Sequence, residues 1–128
     1  MKKYFALLIV LSILLCGCGK VSGAKVEIGE SALYSRSEIM NAINEVKSHF
    51  QRGFEGCTLL NIRYDEAASL KEAPDWAEQY NAREAIVLYS DFFVAGDNPT
   101  LNRFSTYENW GWILVRNDGD WEIMTSGY

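Results

Sequence analysis

An α+β fold, with a long N-terminal helix packed on a curved antiparallel sheet, is predicted by three features of this sequence. Ile39, Ile43, Val46 and Phe50 recur at helical period behind a capping sequence. Residues 84–94 are rich in β-formers, with apolar side chains on both faces. Two further runs of this kind flank Asn117-Asp118-Gly119-Asp120. A chain of 128 residues, 48% hydrophobic and 23% charged, has the length of one domain and an ordinary globular balance. Disorder, collagen-like repeats and a disulfide-dense scaffold fit it poorly.

The first element is an address rather than a fold. Met1-Lys2-Lys3, a nearly unbroken apolar run from Tyr4 to Leu15, and Cys16-Gly17-Cys18-Gly19 supply the parts of an export signal. The run is about a dozen residues long, whereas crossing a bilayer takes ~20, so an uncleaved anchor is the weaker alternative. Leu15-Cys16-Gly17-Cys18 resembles the bacterial lipobox, which pairs an aliphatic and a small residue with an obligatory Cys. The resemblance implies that the Cys18 thiol takes a diacylglyceryl group before cleavage. Cys16 suits that role less well, because bulky Leu15 precedes it. Each buried CH₂ contributes ~0.8 kcal/mol, so two or more palmitate-like chains anchor stably where one does not.

The expected organisation is therefore a signal over 1–17, a lipidated Cys18 with a flexible tether over 18–26, and one α+β domain over 27–128. The expected location is the outer face of the bacterial cell membrane. Removing Lys2 and Lys3 leaves 10 basic against 17 acidic residues, a net charge of −7. Such a domain has no electrostatic reason to bind nucleic acid or to lie on anionic headgroups. With Cys16 removed, Cys18 acylated and Cys57 alone, no intrachain disulfide is expected.

Within the domain, Ser35-Arg36-Ser37-Glu38 is a capping box that opens the helix, and Arg52-Gly53 closes it. Residues 57–64 alternate as a half-buried strand. A short helix from Glu66 to about Ala73 is expected to break at Pro74 and restart at Asp75, with Trp76 above Tyr80 at i, i+4. Residues 84–94 form a central strand and 96–102 a loop. At the C-terminus, Asp118-Gly119 predicts a two-residue type I′ hairpin turn. That turn places Arg116 opposite Trp121, Leu114 opposite Ile123 and Trp112 opposite Thr125. Trp110, Trp112, Leu114, Trp121 and Ile123 then share one side, and Ile113, Val115 and Met124 the other.

Gly56-Cys57-Thr58-Leu59, Tyr64-Asp65-Glu66, Ala85-Ile86-Val87-Leu88, Leu101-Asn102, the segment from Tyr107 to Arg116 and terminal Gly127-Tyr128 together carry a resemblance. Over residues 35–128 the chain resembles an uncharacterised domain of Gram-positive, chiefly clostridial, lipoproteins of the nuclear transport factor 2-like (cystatin-like) cone fold. The resemblance implies a cell-surface location and a ligand-binding concavity between helix and sheet. It implies no reaction.

The candidate site residues follow from that expectation. Tyr107, Trp110, Trp112 and Trp121 can stack a sugar ring or clamp an extended peptide, since aromatic planes give large contact area at low entropic cost. The alternative is that they form the hydrophobic core, with Arg116 packed over Trp121. Asp91 is a carboxylate inside an apolar strand, beside Ser90 and Tyr89, where burial raises a pKa toward general-base use. His49 is the one histidine, and its place near the helix C-terminus also suits a plain dipole interaction. Cys57 reads as a small buried hydrophobe. Asn117-Asp118-Gly119-Asp120 lacks the alternating ligands of a calcium loop and reads as a turn. No cofactor or metal is predicted, for the chain has no Cys/His ligand spacing, Ser/His/Asp arrangement or phosphate loop. The expectation is a lipid-anchored, non-enzymatic binding module for a peptide, glycan or protein. A small hydrolase, isomerase or dehydratase using Asp91 and His49 is the alternative.

Overall fold

The computed structural model describes residues 18–128; the expected signal segment, with Cys16, lies outside the described residues. The elements run β1 (Lys25–Ile28), α1 (Arg36–Gly53), β2 (Cys57–Tyr64), α2 (Glu66–Gln79), β3 (Glu84–Val94), β4 (Thr106–Arg116) and β5 (Glu122–Gly127). Five strands in the order β1-β2-β3-β4-β5 make one sheet. The chain is thus α+β, two helices on a mixed sheet. Four of its strands are antiparallel, but β1 runs parallel to β2, with Val26 opposite Ile62 and Ile28 opposite Tyr64.

That first strand corrects the expectation of a free tether. Val26 and Ile28 alternate with Lys25 and Glu27, and Val21, Ala24, Val26 and Ile28 all pack on the core. Pairing extends further back. The Lys20 amide donates to the Cys57 carbonyl at 2.9 Å, the Leu59 amide to the Lys20 carbonyl at 2.8 Å, and the Gly19 amide to the Gln51 carbonyl at 3.1 Å. A side chain at Gly19 would overlap the Phe50 carbonyl oxygen, so this glycine permits a close approach. Hydrogen bonding to the rest of the fold therefore reaches back to Gly19, and a strand precedes the first helix.

The capping box forms as expected: Ser35 Oγ accepts the Glu38 amide at 3.1 Å, and Glu38 reaches back to the Ser35 amide. α1 buries Ile39, Ala42, Ile43, Val46 and Phe50 against Ile62, Leu88, Phe92, Trp112 and Leu114 of the sheet. α2 covers the opposite face, where Ala73 meets Ala85, Val87, Ile113 and Val115. Both faces are covered over Ala85–Leu88 of β3 and Trp112–Val115 of β4, which explains the unbroken apolar runs there. A single helix cradled on one face was the expectation; α2 on the second face corrects it.

α2 is also continuous. Asp65 caps it through the Ala68 amide at 3.0 Å, and Pro74 lies inside it without ending it. Proline removes one backbone donor, and both Pro74 and Leu70, the residue that loses the bond, are exposed to water. Trp76 and Tyr80 stack at 6.0 Å, as their spacing implied. In the C-terminal hairpin Leu114 does face Ile123, but an extra residue at Met124 shifts the register, so Trp112 faces Ser126 and Ile113 faces Thr125. Gly119 has φ +110°, whereas Asp118 has no positive φ, so the turn is not type I′.

Candidate functional site

Two bulges organise the middle of the sheet. Between Leu59 and Asn61 β2 carries one extra residue against β3; between Tyr107 and Trp110 β4 carries another. In β4 the chain passes through Asn109 at φ +56°, a conformation Asn tolerates better than most residues. Asp91 lies on β3 between the two. Its Oδ2 accepts Asn61 Nδ2 at 2.7 Å, its Oδ1 accepts the Asn109 amide at 2.9 Å, and Arg63 Nη1 lies 3.3 Å from Oδ2. Arg63 donates in turn to Asn61 Oδ1 at 2.6 Å and to Asn109 Oδ1.

This network assigns Asp91 a different chemistry from the one expected. Burial pushes its carboxyl upward, but hydrogen bonds from Asn61 and Asn109 and the Arg63 guanidinium outweigh it and hold the pKa below the usual value. An ionised carboxylate with its lone pairs occupied is a poor general base. His49 does not help it. The imidazole sits on α1, edge-on to Trp112 at 5.9 Å, whereas Asp91 points away from the α1 face. The two proposed acid–base groups are on opposite sides of the sheet.

The four aromatic candidates separate as well. Trp112 is 0% exposed and Trp121 3%. Trp112 Nε1 donates to the buried Ser90 hydroxyl at 2.8 Å, and Trp121 Nε1 to the Glu38 carbonyl at 3.2 Å. Neither lines a groove; both are core. Arg116 lies 4.3 Å above the Trp121 ring while pairing with Glu84 at 2.8 Å and Glu38 at 2.9 Å. Tyr107 and Trp110 are half-buried around Phe92, the first stacked at 5.2 Å and the second edge-on at 5.3 Å. The β4 bulge turns Tyr107 onto the same face as Trp110. The Trp110 indole N–H is buried without a partner, beside a cleft of about 170 Å³ lined by Phe54, Pro99 and Leu101.

An open cleft of mixed lining lies on the other face, where α2 leaves the sheet uncovered. It holds about 160 Å³ between Glu72 and Trp76 of α2, Tyr89 of β3, Gly111 of β4, Thr125 of β5 and Tyr128. Tyr89 donates its phenol to Glu72 Oε2 at 2.5 Å. Burial, then that hydrogen bond, push the phenol up to about 12. Gly111 has no side chain to fill the floor. The sequence places Tyr89 beside Asp91 on β3, but no local pattern shows that Glu72 of α2 meets it across the sheet face. A helix carried through Pro74 puts Glu72 and Trp76 one turn apart on one face.

Cys57 is 1% exposed, with its thiol pKa raised by burial, as a small core residue should be. Cys18 is exposed, with Gly19 buried behind it. Asn117 and Asp118 serve the turn: Asn117 Oδ1 accepts the Arg83 amide at 3.0 Å, and Asp118 pairs with Arg83 at 3.0 Å. Among the described residues no helix is long and apolar enough to cross a membrane. No family model, curated protein or solved structure matches this chain.

Proposed function

We propose that the chain is an exported, lipid-anchored binding module of the bacterial cell envelope, held at Cys18, with its ligand site in the cleft on the α2 side of the sheet. One observation carries the binding reading: the Trp76 ring, the Tyr89–Glu72 pair and the glycine floor at Gly111 meet on open surface. Stacking plane and hydrogen-bonding groups together suit a sugar ring. The separation of His49 from an ion-paired Asp91 supports a non-enzymatic role. The anchor reading rests on the lipobox-like run before an exposed Cys18. We also infer kinship with the cystatin-like lipoprotein domains. The long α1 against four antiparallel strands supports it, and α2 on the second face is this chain's departure from that pattern.

A second reading has its own observation. β5 is an edge strand of the sheet and borders the cleft at Thr125, Ser126 and Gly127, so an extended peptide can add to the sheet there. Titration with soluble cell-wall glycan fragments and with wall-derived peptides, followed by calorimetry, tests both. Saturable glycan binding lost in Trp76→Ala supports the first reading, and peptide binding that survives Trp76→Ala supports the second. Product formed from either ligand, or binding of neither, contradicts the module.

A further inference from the structure

The geometry points to one end of this domain as a bilayer-contact surface, an inference that rests on anchoring through the N-terminal segment. The net charge of −7 argued for a domain standing off the membrane on a tether. Two structural facts reverse that expectation. First, there is no slack. Gly19 and Lys20 are hydrogen-bonded to the end of α1 and the start of β2, so an acylated Cys18 brings that end of the fold directly to the lipid surface.

Second, the charge is unevenly placed. The Cys18 end comprises Lys20, the α1 C-terminus, the turn before β2 and the loop from Ala95 to Ser105. It carries Lys20, Arg52 and Arg103 against Glu55 and Asp97, with Arg103 and Asp97 paired at 3.4 Å. The opposite end presents Glu30, Asp65, Asp118, Asp120 and Glu122; of its basic residues Arg83 and Arg116 are already paired with carboxylates, which leaves Arg36 at the start of α1 against those five acids. The acidic end therefore faces away from an anionic bilayer and the neutral-to-basic end toward it.

The loop at the Cys18 end has the parts of an interfacial contact. Phe104 is 68% exposed, the most exposed Phe or Trp among the described core-sized side chains, and the Arg103 guanidinium lies 4.7 Å over its ring. An aromatic ring beside a cation fits the headgroup boundary, where one side is apolar and the other wet. The loop is held rather than loose: Asn98 Oδ1 accepts the Thr100 and Leu101 amides at 3.0 and 2.9 Å, Asn98 Nδ2 donates to the Glu55 carbonyl at 2.9 Å, and the Phe104 amide to the Val94 carbonyl at 2.7 Å. Phe104 is thus presented at a set height relative to Cys18.

Spin-label depth measurements test this on the full-length lipoprotein in vesicles of phosphatidylcholine and phosphatidylglycerol. With Cys18 acylated and Cys57 buried, Asn102→Cys and Asp120→Cys each offer one labelable thiol. A label at position 102 should gain oxygen accessibility and lose nickel-chelate accessibility relative to one at position 120, which stays aqueous. Adding Phe104→Asp should return the label at 102 to the aqueous value without lowering the melting temperature, since position 104 has φ +63°, where Asp is better tolerated than Phe. Equal aqueous values at both positions, in protein that sediments with the vesicles, overturn the contact surface and leave the anchor standing. Protein that stays in the supernatant overturns both.

Discussion

The carboxylate of Asp91 accepts the backbone N–H of Asn109 at 2.9 Å, so a side chain on β3 satisfies the donor that the β4 bulge withdraws from the ladder. The same carboxylate holds Asn61 beside the bulge of β2. Asp91 joins two irregularities in neighbouring strands, and the curvature they impose aims Tyr107 and Trp110 into one cluster.

Removing that joint should destabilise the fold. Asp91→Ala removes the acceptor of the part-buried Asn61 amide and of the exposed Asn109 N–H, together with the carboxylate paired with Arg63. Losing hydrogen bonds to a charged group costs about 1–3 kcal/mol. Urea unfolding should show a loss of that order, smaller for Asp91→Asn. The native carboxyl pKa is depressed, so its contribution is present above the unfolded carboxylate pKa and is lost as pH falls through the folded one. Asp91→Ala should therefore flatten the acid limb of the stability profile. An unchanged acid limb would show that other carboxylates carry it.

Tyr89 makes the opposite prediction in alkali. Its folded pKa is raised to about 12 by burial and by Glu72, so its contribution is complete below the ordinary phenol value and is lost as pH rises toward 12. Tyr89→Phe should lower stability at pH 8 and remove part of the decline above pH ~10. Ultraviolet titration should show one fewer late-titrating phenol.

Two tryptophans separate core from site. Trp112→Ala should cost about 3–5 kcal/mol, as for other fully buried aromatics, without changing ligand affinity per folded molecule. Trp76→Ala, on a half-exposed helix face, should leave the melting temperature within a few degrees and abolish glycan binding. Binding lost in the first variant and kept in the second would place the ligand elsewhere.

Much of the scaffold is legible in the residues because each signal is local. Ser35 and Glu38 are three apart, β3 is bounded by its own composition, and Leu114 meets Ile123 across four turn residues. What was hidden depends on neighbours distant in sequence. Val26 and Ile28 form too short an alternation to announce a strand, and it takes the edge of β2 to make one. The bulges at Leu60 and Asn109 leave no mark except that Asn tolerates positive φ, yet they decide that Tyr107 turns inward and that Arg63 reaches Asp91. Asp91 was therefore visible as unusual while its chemistry was not. The Glu72–Tyr89 pair was hidden because it joins residues 17 apart on different elements, and Trp76 joins them only because the exposed position of Pro74 lets the helix continue.

Anchoring at Cys18 is the claim on which location, orientation and access to envelope ligands all depend. Mass spectrometry of the protein purified from a bacterial membrane tests it most directly. The account predicts a mature N-terminal peptide that begins at Cys18 and carries a diacylglyceryl adduct, with residues 1–17 absent and Cys18→Ala unprocessed. An unmodified Cys18, or a mature chain beginning at any other residue, would contradict it.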